Sequence, residues 1–532
     1  MGQRTARAHE QRHRRHHRNM RWAAVLVLLA VVGLAVMQLT PSPAPAISSG
    51  SPVKAPRPAV RGGLSQRTTA MMPARPEPAP MSAYLSGVVE GFYGPRWSAG
   101  TTVHMIKFLA RQGMNTFVYA PKNDPYQRAD WATPYPNSQL GYLERVVAAA
   151  EAAHVRFVYS VSPGLSITYS SAADRAALLA KINQIRALGV NWFMLSFDDI
   201  APTLNAADAA AYHDNLALAQ TSLANWVWAA ESRTDQNFGL LFTPTDYDGL
   251  QDNPYWETLK QDLTPNALVL WTGPDVLSTT ITATEARQVE EEVGHRVVIW
   301  DNYPVNDYTY VEQHAPRLML GPLTGRSPNL PGAVAGYLFN PMLQARASEV
   351  ALATGADYLK HPHHYKPAAS WQAALAKVGG AAEPAFQLLA EASDTSFLPG
   401  SPTGTASGDA ALNAAIAAAE RGGPNVSLPI LDRLSQQFTA MGQVNSSLRT
   451  ALPDPRLYSE VAPWSVQLSL EGTVGLAAVW VLTNLHEGLS TTSAVAQLVR
   501  LNQEMAQSHY ALNTTAEVSQ LVAWTLAAAR AG

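Results

Sequence analysis

A chain of 532 residues with 47% hydrophobic and 15% charged content carries enough apolar material for more than one core. Its net charge of -3, with the basic residues crowded into the first 21 positions, gives no basic face for a nucleic-acid partner. The absence of cysteine excludes a disulfide framework and a thiolate metal site, and no metal motif or Gly-rich phosphate loop asks for a cofactor.

The chain begins with "RHRRHHRNMR" (12–21) and runs into the uncharged "WAAVLVLLAVVGLAVM" (22–37). A basic segment ahead of an apolar one reads as an export signal or a membrane anchor, with the arginines staying inside. The apolar run is short for a span and long for a signal, and "APA" (44–46) offers a cleavage site, so both readings stay open. Either one makes residues 1–40 a targeting or anchoring segment and the rest exported, extracellular or held at the cell surface through 22–39. A nucleic-acid arm, or a metal cluster of His13, His16 and His17, is the alternative, but the apolar run already explains the charge. Residues 41–82, with repeated prolines, form a linker.

From 83 to 380 short apolar runs alternate with helical spacing. The runs are "LSGVVEG" (85–91), "TFVYAP" (116–121), "RFVYSVSP" (156–163), "NWFMLSFDD" (191–199), "FGLLFTP" (238–244), "ALVLWTG" (267–273), "RVVIWDN" (296–302) and "VAGYLFNP" (334–341). Stretches such as "TTVHMIKFLARQG" and "ATEARQVEEEVG" between them have helical period, whereas "QDNPYWETLK" and "YPVNDYTYVEQH" are turn-rich and leave the helices after strands five and seven open. Eight such units predict an α/β fold, a closed (β/α)8 TIM barrel, with an open doubly wound sheet as the alternative.

In a barrel of this kind the chemistry sits where the strands end. Here they end in Glu90-Gly91, Asp198-Asp199, "TPTDYD", "WTG", "WDN" and "FNP". Trp271 and Trp300 are candidates for a pyranose floor, and Asp301, Asn302, Asp307 and Asn340 for holding hydroxyls. Adjacent strand residues face opposite ways, so Asp198 and Asp199 share a pocket only if the backbone turns between them. The plainer readings are an Asp-Asp helix cap, an Asn340-Pro341 cap pair, ordinary tryptophan packing and a tight turn at Gly91. Glycosidic cleavage needs two acidic groups, and adjacent ones sit too close to flank the bond. A 2-acetamido sugar removes that difficulty, because its carbonyl attacks its own anomeric carbon and both protein acids can lie on one side.

The motifs "GVVEGFYGPRWS" (87–98), "NTFVYAPKNDPYQRADWATPYP" (115–136), "FMLSFDDI" (193–200), "LFTPTDYDG" (241–249), "LWTGPDV" (270–276) and "VIWDNYPVND" (298–307) together resemble glycoside hydrolase family 84. That family holds retaining β-N-acetylglucosaminidases and relatives described as hyaluronidases or protein O-GlcNAc hydrolases. The resemblance implies that Asp198 orients and polarises the acetamide and that Asp199 is general acid and then base. It implies that Gly91 lies against the sugar, Lys122 reaches a hydroxyl and Tyr247 stands at the anomeric side. Trp300, Asn302 and Asp307 become wall, acetamide or hydroxyl contacts, and Asn340 a substrate asparagine. Asn123 stands where the family more often has a second acid.

Residues 381–532 are alanine-rich with helical period, broken at "PGSPTGTASGD" and "LPDPR", and predict a C-terminal α-helical bundle in which Trp464 is core. The functional expectation is an exo-acting β-N-acetylglucosaminidase using its substrate's acetamide, acting on an N-acetylglucosamine-containing glycan or glycoconjugate. Endo-cleavage of a glycosaminoglycan such as hyaluronan and a catalytically silent sugar-binding barrel are the alternatives.

Overall fold

Runs rich in Val, Leu, Ile and aromatic residues, apolar on both faces, suit parallel strands buried on both sides. In the computed structural model, which describes residues 84–251, 253–393, 407–423 and 426–531, these runs form eight strands. They are β1 (Leu85–Glu90), β2 (Thr116–Tyr119), β3 (Arg156–Val161), β4 (Trp192–Ser196), β5 (Gly239–Thr243), β6 (Ala267–Trp271), β7 (Val297–Asp301) and β8 (Gly336–Phe339). All pair in parallel in sequence order and β8 closes on β1, so the sheet is a barrel and not an open doubly wound one. The targeting segment and linker expected over 1–82 lie outside the described residues.

The helices between the strands are α1 (Ala99–Arg111), α2 (Asn137–Ala152), α3 (Ala172–Arg186), α4 (Ala206–Ala211), α5 (Leu216–Glu231), α6 (Pro254–Asp262), α7 (Ala283–Val293) and α8 (Asp307–Val311), with α9 (Ala345–Lys360) after β8. The two turn-rich stretches hold the short helices α6 and α8. Along each strand alternate residues take opposite roles. Val89, Val118, Val158, Met194, Leu241, Leu270, Val298 and Leu338 form one cluster that fills the barrel interior. Their neighbours Val88, Phe117, Phe157, Phe193, Phe242, Val269, Ile299 and Phe339 belong to the larger core between strands and helices.

A second core begins before residue 381. Helix α10 (Pro367–Gly379) buries Trp371 in it together with Leu318 and Leu320, and α11 (Glu383–Glu391), α12 (Ser407–Gly422), α13 (Leu428–Ala451), α14 (Pro455–His486), α15 (Thr492–Met505) and α16 (Thr514–Ala531) complete it. Helices α13 and α14 approach so closely that a Cβ on Gly472 would lie 2.3 Å from the Gly442 nitrogen. Helix α14 is long and apolar enough to cross a membrane by length and composition, but 61% of its most apolar window is buried, as in a bundle core. Trp464 on α14 is core, 1% exposed, and donates to the Pro316 carbonyl at 2.9 Å. Arg346 joins barrel to bundle through Asp454 at 2.6 Å, while Glu460 accepts from the Arg346 and Ala347 amides at 2.7 and 3.1 Å, capping α9 from another helix.

Candidate active site at the barrel mouth

Strand β4 delivers the acid pair, and a break in its backbone makes them a pair. Asp199 has φ +55, the left-handed region, which aspartate tolerates at a cost of about 1 kcal/mol. Strand β4 ends at Ser196, so both aspartates lie in the turn beyond it, where the pleat no longer forces the two carboxylates to opposite faces. Neither acid caps a helix, since Asn205 caps the next one, α4.

Asp198 is 6% exposed, and one carboxylate oxygen, Oδ2, takes the Lys122 ammonium. Its other oxygen, Oδ1, is buried without a hydrogen-bond partner, which is an unusual state for a carboxylate and leaves an acceptor for a ligand N–H. Asp199 is half-buried and is clasped on both oxygens. The Tyr247 hydroxyl donates to Oδ1 at 2.8 Å and the Tyr93 hydroxyl to Oδ2 at 2.9 Å. Burial first, and then the negative charge of Asp199, push both phenols well above the ordinary tyrosine value, so they stay protonated donors.

The opposite wall comes from β1, β7 and β8. The Gly91 amide donates to Asn340 Oδ1 at 3.2 Å, Asn340 Nδ2 to Asn302 Oδ1 at 3.0 Å, and Trp300 Nε1 to the same Asn302 oxygen at 2.9 Å. Gly91 serves more than a turn, for a Cβ there would sit 2.3 Å from Trp300 Cζ2. Bare backbone is what lets the indole approach the end of β1 this closely. The Lys122 ammonium is 5.5 Å from the Trp300 ring centroid, so the wall and the acid pair meet at Lys122. Asn340 does not cap a helix, because α9 starts after Gln344. Asp307, at the start of α8, accepts from the Tyr93 amide at 2.7 Å and from the Tyr308 amide at 2.7 Å. Burial pushes its carboxyl up to about 6, against the pull of those two donors.

Two tryptophan and aspartate expectations are corrected. Trp271 is not a pyranose floor: it is 1% exposed, lies in the strand-to-helix core and donates to the Gly249 carbonyl at 2.9 Å. Its neighbour Leu270 faces the barrel interior, so the pleat turns Trp271 outward. Asp301 likewise holds no sugar hydroxyl, for it pairs with Arg326 through bonds of 2.6 and 2.9 Å and accepts from the Tyr337 hydroxyl. By contrast Gly91, Lys122, Asp198, Tyr247, Trp300, Asn302, Asp307 and Asn340 are linked by the contacts above or by bonds to a common partner.

Sequence reasoning passed over Tyr93 and Arg128. Both lie inside motifs quoted for the resemblance, "EGFYG" and "PYQRADW", yet each acts on Asp199 from another loop. Arg128 Nη2 donates to the Asp199 carbonyl at 3.0 Å. Asn123, the departure from the family, accepts from the Gly94 amide at 3.2 Å and so ties the β1 and β2 loops together.

A closed parallel barrel with an acid pair turned into its mouth, beside a polar and indole wall, defines a glycoside hydrolase. The β-N-acetylglucosaminidase family model matches residues 86–391, and the chain belongs to that family, glycoside hydrolase family 84. It is similar to protein O-GlcNAcase of Rattus norvegicus and of Mus musculus, each 35% identical over 283 residues, which is 52% of this chain. The chain spans only 30% of the length of those curated relatives. The solved structure of an O-GlcNAc hydrolase mutant from Thermobaculum terrenum matches with a TM-score of 0.75 at 28% identity, over 84% of this chain and 95% of that one. The solved structure named CpGH84B matches with a TM-score of 0.72 at 25% identity, over 84% of this chain and 77% of that one.

Proposed function

We propose that this protein is a retaining, exo-acting β-N-acetylglucosaminidase whose nucleophile is the acetamide carbonyl of its own substrate. The observation that carries the reading is the left-handed backbone at Asp199, which frees two neighbouring carboxylates from opposite faces while Asp198 Oδ1 stays buried and unpartnered. In the first step the carbonyl oxygen bonds to C1 as the C1–O bond breaks, and Asp199 gives its proton to the departing oxygen. Asp198 accepts the acetamide N–H, which raises the nucleophilicity of the carbonyl and stabilises the positive oxazolinium as it forms. In the second step water attacks C1 from the face the leaving group vacated, Asp199 takes its proton, and the ring reopens with the β configuration kept. Intramolecular attack corresponds to an effective molarity of about 10⁵ to 10⁸ M, and a placed proton donor adds about 10² to 10⁴.

The substrate class is a terminal N-acetylglucosamine on a glycan or glycoconjugate. The names of the relatives, protein O-GlcNAcase and O-GlcNAc hydrolase, support a sugar borne on protein. Lys122, Asn340 and Asp307 are the groups placed to hold its hydroxyls. Export through the basic and apolar run at 12–37 belongs to the same reading, with the barrel on the outer side of the membrane; finding the protein only in the cytosolic fraction of its host would contradict it.

The test compares an aryl β-N-acetylglucosaminide with its 2-hydroxy analogue. Turnover of the first alone is expected. Equal rates would sink the acetamide mechanism, and binding without turnover of either would mark a silent sugar-binding barrel. On chito-oligosaccharides the exo reading expects monosaccharide from the start, whereas a spread of shorter oligosaccharides would mark endo-cleavage of the glycosaminoglycan type.

A further inference from the structure

The left-handed conformation at Asp199 is strained, and strain of this kind persists only where the surroundings hold it. Two phenols grip the carboxylate, but a carboxylate can be gripped from many backbone conformations. The group that holds the backbone itself is Arg128. Its Nη2 donates to the Asp199 carbonyl at 3.0 Å, and its guanidinium carbon lies 5.5 Å from the centroid of the Tyr93 ring, the same ring whose hydroxyl donates to Asp199 Oδ2. One cation thus braces the main chain of the acid and the tyrosine that orients its side chain.

Arg128 is itself held. It is 4% exposed, and its amide donates to the Asp124 and Pro125 carbonyls, each at 3.2 Å. The loop that carries it, between β2 and α2, is fixed by Asp124, which accepts from the Tyr126 amide at 3.0 Å and the Tyr135 hydroxyl at 2.9 Å. Lys181 on α3 adds a bond to the Tyr126 carbonyl at 3.0 Å. Among the described residues Arg128 forms no ion pair, and its Nε is buried without a partner. A buried guanidinium left without a carboxylate is expensive to keep for structure alone.

We propose that Arg128 is a positioning residue for proton transfer: it locks Asp199 in the left-handed turn that aims its carboxyl at the leaving oxygen. The proposal rests on the assignment of Asp199 as the acid. Arginine suits the task because its planar fork presents donors in a fixed direction while its charge sits over the Tyr93 ring, which lysine cannot do together.

The experiment measures kcat/KM of the full chain on two β-N-acetylglucosaminides, one with an activated dinitrophenol leaving group and one with an unactivated alkyl alcohol. Wild type, Asp199→Ala, Arg128→Met and Arg128→Lys are compared, with binding of N-acetylglucosamine and the melting temperature measured alongside. Loss of proton donation hurts the alkyl substrate and spares the activated one. For Arg128→Met a loss of about 10²-fold is expected on the alkyl glycoside, the scale of a small misplacement of a reacting group, and less than about fivefold on the dinitrophenyl glycoside, with N-acetylglucosamine binding kept. Arg128→Lys, the milder change, is expected to lie between wild type and Met with the same split, so it decides the matter should Met fail to fold. Equal losses on both substrates, or no loss on either, overturn the proposal. If Asp199→Ala shows the split and the Arg128 variants do not, only Arg128 is misassigned; if Asp199→Ala shows no split, the acid assignment falls and takes this inference with it.

Discussion

Strands β4 and β7 end alike in sequence and differently in space. "FDD" closes one and "WDN" the other, and both put an aspartate at the barrel mouth. At β4 the backbone goes left-handed at the second aspartate, so neighbouring residues no longer have to diverge. At β7 the pleat stays regular: Trp300 lies in the interior cluster, whereas Asp301 faces outward to Arg326 and Tyr337. At the next residue the Asn302 oxygen takes both the Trp300 and Asn340 donors. The lesson is that an acid at a strand end is left open at the mouth or tied to a structural partner according to one backbone dihedral and the phase of the pleat.

Exchanging the two aspartates for alanine breaks the comparison most directly. Asp199→Ala is expected to remove about 10² to 10⁴ in rate on poor leaving groups while leaving the melting temperature close to wild type. Asp301→Ala leaves the Arg326 guanidinium buried without its carboxylate and is expected to lose about 3–5 kcal/mol of stability, with the kcat of the folded fraction kept. Denaturation curves beside active-site titration read both effects; the opposite assignment of losses would mean that the pleat has been misjudged.

Gly91→Ala tests the wall at the end of β1. A methyl group 2.3 Å from Trp300 forces the indole to shift, at about 1–3 kcal/mol, which should raise KM more than it lowers kcat.

The last test is of stability against pH. Burial raises the folded-state value of Glu90 from 4.5 to about 8 and that of Asp307 from 3.8 to about 6. The folded protein therefore binds more protons than the unfolded chain, and the contribution of each group is full below its unfolded value and lost as pH rises through its folded one. The melting temperature should fall from pH 4 to about 6 through Asp307 and from about 5 to 8 through Glu90. Asp307→Asn and Glu90→Gln should each flatten its own window, and a melting temperature that rises across this range in wild type would contradict the assignment.

Much of this was legible in sequence. All eight strands lie within the apolar runs, because Val, Ile and aromatic clusters bounded by Gly, Pro and Asp leave little else for those segments to do. The helices after β5 and β7 were not legible, since α6 has nine residues and α8 five, too short for a period to show. Trp271 and Trp300 were indistinguishable for a different reason: a strand buried on both faces has no polar side to mark which residues point inward. The left-handed turn at Asp199 and the reach of Tyr93 and Arg128 to it depend on contacts between loops far apart in the chain, across 106 and 71 residues. No local pattern encodes those.

The central claim is that the acids at the end of β4 serve a nucleophile carried by the sugar. A series of aryl glucosaminides bearing N-acetyl, N-fluoroacetyl, N-difluoroacetyl and N-trifluoroacetyl groups varies the basicity of that carbonyl with little change in size. If the carbonyl attacks C1, kcat/KM falls steadily with each fluorine. A flat series would mean that a protein group attacks instead, and the account of Asp198 and Asp199 would be wrong.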